Sequence, residues 1–167
     1  MTTISSQGEE MVTIELTQVK IKKLYPDAIL PTRGSSAAAG WDLYAHNYNG
    51  FTDKDWTLII NPGETIKIGT GIALALPDWS FGGIYPRSGL ATKQGLAPAN
   101  KVGVVDADYR GEVIVALHNH SGVPQTLHRG DRIAQLIIQP YINTELTEVD
   151  ELDETDRGAG GFGSSDK

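Results

Sequence analysis

The sequence predicts one all-β domain, and three observations carry that reading. Its apolar runs are short, turn residues recur between them, and no stretch keeps a helical period for three turns. Many short strands with frequent turns form a sandwich, jelly roll or small barrel, since each buries one strand face and limits exposed edges.

Taken in order, residues 1–10 read as a loose, disordered N-terminal arm. From Met11 a period of two begins: Val12, Ile14 and Leu16 alternate with Thr13, Glu15 and Thr17. Strands follow at Trp56–Ile60, Thr65–Ile68 and Ile72–Leu76, closed by Asn61-Pro62-Gly63, Gly69-Thr70-Gly71 and Pro77-Asp78. Val113–Leu117 stops at Asn119–Gly122, and Ile133–Ile138 stops at Pro140. These punctuators supply positive φ or block ladder hydrogen bonds. Residues 90–97 allow a brief helical turn at most. The β domain spans 11–147. From 148 to 167 the chain turns acidic and then Gly-rich, too polar to build a core, and reads as a flexible tail.

Bulk properties narrow the function. The chain has 167 residues, 40% of them hydrophobic, enough for one domain with a real core. Its nineteen glycines and eight prolines favour turns over long helices. It has no cysteine, which excludes disulfides and thiolate metal sites and fits a reducing compartment. No run approaches the roughly 20 apolar residues of a membrane span. Met1–Glu10 also lacks the layout of a secretory signal. A soluble, cytoplasmic or similarly reducing location is expected, the nucleus included in a eukaryote. A net charge of −7 argues against a nucleic-acid polymer as partner. It leaves open a small phosphorylated ligand held by a local cluster of Arg and amide groups.

Five segments carry chemistry-bearing residues. Ala38–Leu43 (AAGWDL) leads through small residues to a single acid, Asp42; a plain strand start reads the same way. Pro86–Leu90 sets Arg87 and Ser88 before Gly89, a layout suited to oxyanion contacts and common in surface turns. Asn100–Glu112 (NKVGVVDADYRGE) places Gly103 among apolar residues, a sign of a bulge or close approach. It then offers Asp106 and Asp108, either as a general base or as turn-capping acids. In Gly130–Leu136, Gln135 interrupts an apolar strand as an amide donor. Arg157–Ser165 (RGAGGFGSS) combines a phosphate-matching guanidinium with Gly-rich backbone, two hydroxyls and the flat ring of Phe162. Both a solvated terminus and a closing lid fit that composition. His118 and His120 face one side of a strand without a third ligand at a telling spacing, so they are not read as a metal site.

In this order, AAGWDL, PRSGLA, NKVGVVDADYRGEV, GDRIAQLII and RGAGGFGSS resemble the five motifs of the trimeric dUTPase family, across residues 38 to 165. The departures are Trp41 at a variable position, Ser165 where many relatives carry Thr, and an extended 46–56 segment without an assigned role.

The resemblance implies a jelly-roll-like β-barrel with a flexible Gly-rich C-terminal arm, assembled as a homotrimer whose active sites are shared between subunits. It implies hydrolysis of dUTP to dUMP and pyrophosphate, which limits uracil incorporation into DNA and supplies dUMP for dTMP synthesis. Asp106 would orient and deprotonate the water attacking the α-phosphorus. Asp108 would be structural. Tyr109 would stack on the deoxyribose and exclude a 2′-hydroxyl. A hairpin over Asn100–Tyr109 would read uracil through Asn100, Val102 and Gly103. Arg87, Ser88, Gly89, Gln135, Arg157, Gly161, Gly163, Ser164 and Ser165 would grip the phosphates, and Phe162 would cover the base. Mg²⁺ would sit on phosphate oxygens and waters, reaching Asp42 only through water. The rival readings are a deaminase of the same superfamily and a non-catalytic binding module. Ammonia release or lack of turnover would distinguish them from pyrophosphate release.

Overall fold

The computed structural model describes residues 2–3, 13–14 and 18–160. Among the described residues fourteen strands and one short helix, set between the ninth and tenth strands, follow one another along the chain. They are β1 (Thr2–Thr3), β2 (Thr13–Ile14), β3 (Lys20–Lys23), β4 (Trp41–Tyr44), β5 (Asn47–Tyr48), β6 (Thr57–Ile60) and β7 (Thr65–Gly69). Then come β8 (Ile72–Ala75), β9 (Ser80–Tyr85), α1 (Ser88–Gln94), β10 (Leu96–Pro98) and β11 (Gly103–Val105). The last are β12 (Ile114–Asn119), β13 (Gln125–His128) and β14 (Arg132–Pro140).

The strands form two four-stranded antiparallel sheets, in the orders β10-β12-β7-β5 and β11-β9-β14-β4. Three two-stranded pairs, β1-β2, β13-β6 and β3-β8, complete them. Consecutive strands change sheet, as between β10 and β11, which gives the jelly-roll arrangement expected. The sheets stay open rather than closing into a continuous barrel.

Alternation decides which faces meet. On β7, Ile66 and Ile68 are buried while Thr65 and Lys67 are exposed; on β12, Val115 and Leu117 point in. Leu43, Ile84, Ala134 and Leu136 of the other sheet join the same core cluster. On β14 the strict period fails, because Ile133 and Ala134 are both buried. The register with β4 shifts between Arg132 and Ala134, and a bulge of this kind lets neighbouring residues share a face.

One expectation changes. The brief turn expected at 90–97 is a seven-residue helix that starts earlier, at Ser88. Gly95 ends it with a left-handed backbone, φ 70°, and its N–H bonds back to Ala91 O. Of the arm expected over 1–10 only Thr2–Thr3 is described, paired antiparallel with Thr13–Ile14; the rest of the arm lies outside the described residues. Among the described residues no helix is long and apolar enough to cross a membrane.

Candidate active site

The first cluster forms where β4, β14 and β9 lie side by side. Gln135 on β14 stands opposite Asp42 on β4 and opposite Tyr85 on β9. The chain leaving Tyr85 supplies Arg87 at once, so three separate motifs arrive at one end of one sheet. Arg87 Nε donates to Asp42 Oδ1 at 2.7 Å, and an Arg132 terminal nitrogen donates to Asp42 Oδ2 at 3.1 Å. Charge-assisted bonds of this length are the strong kind, and among the described residues both terminal nitrogens of Arg87 and the second terminal nitrogen of Arg132 have no other partner. Gln135 Nε2 donates to Pro86 O at 2.9 Å and pins the loop before Arg87. A Cβ on Gly40 would collide with Gln135 Oε1 and stand 3.2 Å from Gln135 Cβ, so Gly40 and the Gln135 side chain pack closely.

This cluster borders a cavity of about 390 Å³ lined by Arg87, Leu90, Gln94, His128 and Arg132. Ser88 and Gly89 sit exposed in the first turn of α1. A Cβ on Gly89 would meet nothing within 4 Å, so the chain itself imposes no need for glycine there.

A second cluster surrounds β11. Lys101 N bonds to Pro98 O at 3.1 Å and Lys101 takes φ 65°, which turns the chain sharply before Val102. Gly103 lies opposite Ile84, and a Cβ on it would stand 3.2 Å from Asn100 Nδ2 and from Ile84 Cβ. Asn100 and Gly103 share a small cavity of about 230 Å³ with Ile84, Pro98, Ile114 and Ala116. The hairpin expected over 100–109 takes a different form. Turns flank β11 on both sides, and its ladder partner is β9 rather than β10, because the chain crosses between sheets here.

Beyond β11, Tyr109 N bonds to Asp106 O at 3.2 Å, and this turn separates the two acids that an extended strand would align. Arg110 staples the turn through Ala107 O at 2.6 Å and Tyr109 O at 3.0 Å. Asp106 and Asp108 line a cavity of about 610 Å³ with Asp78, Phe81, Val104 and Tyr141. Tyr109 is 45% exposed, and its hydroxyl donates to Glu112 O at 3.2 Å.

The clusters do not merge within one chain. Val105 pairs with Gly82, so Asp106 follows opposite Phe81, while Arg87 follows Tyr85. From Phe81 to Tyr85 is about 13 Å at roughly 3.3 Å per residue. The tail contributes Arg157, whose Nε bonds to Gly160 O at 2.8 Å. Gly161, Phe162, Gly163, Ser164 and Ser165 lie outside the described residues.

Two residues at these clusters escaped the sequence reading. Arg132 sits three positions before Gln135, on the wrong parity for a shared face until the register shift of β14 is known. Glu112 had a signal only in its place at the end of the third motif.

Comparison with known proteins gives the following. The family model described as dUTPase matches residues 26–166. A deoxyuridine 5′-triphosphate nucleotidohydrolase of Nocardia farcinica is 48% identical over 151 residues, covering 90% of this chain and 86% of that one. One of Nautilia profundicola is 43% identical over 150 residues, covering 90% of this chain and 99% of that one. Among solved structures, a Staphylococcus bacteriophage 80alpha dUTPase mutant with dUpNHpp aligns with TM-score 0.78 and 25% identity, over 90% of this chain and 99% of its own. A mutant dUTPase of phage phi11 of S. aureus, described with a structural Mg(II) ion, shares the fold at TM-score 0.67 and 24% identity, over 81% of this chain and 98% of its own.

Proposed function

The chain belongs to the dUTPase family, and we propose that the clusters above carry out the family's hydrolysis of dUTP to dUMP and pyrophosphate. The observation that carries the assignment is the place of Asn100 and Gly103 on one small cavity, with Asp106 three residues beyond Gly103. Base recognition and water activation thus fall on one short segment whose strand, Gly103–Val105, is paired with β9.

Asn100 and the backbone near Val102 and Gly103 read the polar edge of uracil, and Ile84 and Pro98 wall the cavity. Tyr109 stacks on the sugar. Asp106 accepts a proton from a water as its oxygen attacks the α-phosphorus in line with the departing pyrophosphate. Phosphoryl transfer asks mainly for such positioning and for charge stabilisation. Arg87, Ser88, Gln135 and, from the tail, Arg157, Ser164 and Ser165 supply the charge and hydrogen bonds; Gly89, Gly161 and Gly163 let the backbone approach. Phe162 closes over the base, and closure excludes bulk water.

The separation of Asp106 from Arg87 within one chain supports an assembly in which different subunits complete one site, a homotrimer with three shared sites. Magnesium fits these residues as a cation carried by the substrate. Both Asp42 oxygens are already engaged by Arg87 and Arg132, so Asp42 reaches such a cation through water rather than as a direct ligand. When bound, Mg²⁺ keeps part of its hydration shell and neutralises phosphate charge.

The test is pyrophosphate release from dUTP with Mg²⁺ by the purified protein and by Asp106→Asn. The variant is expected to lose at least about a hundredfold in kcat, since a general base contributes roughly 10²–10⁴, while still binding dUTP. A variant of near-normal rate would remove Asp106 from the role.

A further inference from the structure

Glu112 ties together three segments that are distant in sequence. Its Oε1 accepts Asn47 Nδ2 at 2.7 Å and the Gly71 backbone N–H at 2.7 Å. Asn47 is 5% exposed, in the 46–56 region that the motifs leave without a role. A Cβ on Gly69 would stand 2.5 Å from Glu112 Oε1 and from both polar atoms of the Asn47 side chain, so the pocket closes tightly around this contact. Gly71 has φ +73°, which aims its N–H at the carboxylate and suits only glycine well. The next residue is fixed too: Val113 N bonds to Ile72 O at 2.9 Å.

The same residue holds Tyr109. Its backbone carbonyl accepts the Tyr109 hydroxyl at 3.2 Å, and a Cβ on Gly111 would collide with the Tyr109 ring. The ring therefore lies over Gly111 with its hydroxyl on Glu112. A ring that is 45% exposed has little packing of its own to hold it, so its orientation depends on this seat. A steric wall discriminates only as well as it resists displacement, and that resistance comes from the residues behind it.

We propose that Glu112 is a positioning residue for sugar specificity: its carboxylate anchors the 106–112 turn, and the turn holds the Tyr109 ring where a ribose 2′-hydroxyl would have to fit. The proposal rests on the reading of Tyr109 as the residue against the sugar. It adds that Asn47 and Gly71, which lie outside the five motifs, set the stiffness of that wall.

The experiment compares kcat/KM for dUTP and UTP, together with thermal midpoints, in Glu112→Ala, Glu112→Gln and Tyr109→Ala. Glu112→Ala is expected to narrow the dUTP/UTP ratio by about tenfold or more, since a wall that yields to one added hydroxyl forfeits a steric discrimination on the order of 10–200-fold. Glu112→Gln should keep the ratio near that of the parent, because one amide oxygen can accept both bonds. Equal losses on both nucleotides in Glu112→Ala, with the ratio unchanged, overturn the proposal. A Tyr109→Ala variant with an unchanged ratio overturns the Tyr109 reading instead. Should Glu112→Ala yield no folded protein, Asn47→Ala removes one donor of the same anchor and is judged by the same two outcomes.

Discussion

Arg87 donates its Nε to Asp42 Oδ1 at 2.7 Å, and the two residues come from motifs 45 positions apart. Asp42 is 14% exposed and its second oxygen accepts Arg132, so one carboxylate orients two cations at the rim of a single cavity. Arg87, which the proposed function sets against the phosphates, is thus aimed before any phosphate arrives, which lowers the cost of ordering it on binding.

Asp42→Asn should therefore weaken catalysis without removing any proposed phosphate donor. The amide loses the charge on which both arginines rest, and kcat/KM for dUTP should fall on the order of ten- to a hundredfold. Steady-state kinetics checks this. A variant within twofold of the parent would show that Arg87 is positioned by something else.

Deleting residues 157–167 should nearly abolish turnover yet preserve the fold. Among the described residues no member of the core cluster lies beyond Leu136, and the partly buried residues packed on it end at Ile138. Circular dichroism and the thermal midpoint should match those of the full chain, while pyrophosphate release is lost. An unfolded truncation would mean that the tail is part of the scaffold.

A pH effect follows from Asp27. The hydrogen bond from His46 Nε2, at 3.1 Å, holds its carboxyl below the usual range, and the Arg129 guanidinium at 3.0 Å adds to this. A depressed acid stabilises the fold above its unfolded pKa of about 4, and that stability is lost as pH falls through the lower folded value. Asp27→Asn should thus lower the thermal midpoint at pH 7, with the gap to the parent closing in strong acid. A gap that is constant across that range would place the effect outside ionisation.

Much of the candidate site was legible because its residues lie in contiguous words. Asn100, Gly103, Asp106 and Tyr109 are close in sequence, and the strand that carries Gly103 cannot scatter them. Asp42, Arg87 and Gln135 were readable as types, but their meeting depends on β4, β14 and β9 lying side by side. Arg132 stayed hidden because a period of two puts it on the opposite face from Ile133, and only the register shift brings its guanidinium to Asp42. The seven-residue helix was underestimated because Gly89 weakens its propensity, while the left-handed cap at Gly95 offsets part of that loss.

By itself the sequence determined the all-β class, the order of the five motifs and the residue types at each, because periodicity, turn chemistry and side-chain functional groups are local properties. Only the tertiary structure decided that Asp42 accepts from two arginines, that Glu112 bonds Asn47, Gly71 and Tyr109, and that Asp106 stands apart from Arg87 within one chain. Those relations depend on which strands become neighbours and in what register. That choice is made by burial summed over the whole core, which no single segment encodes.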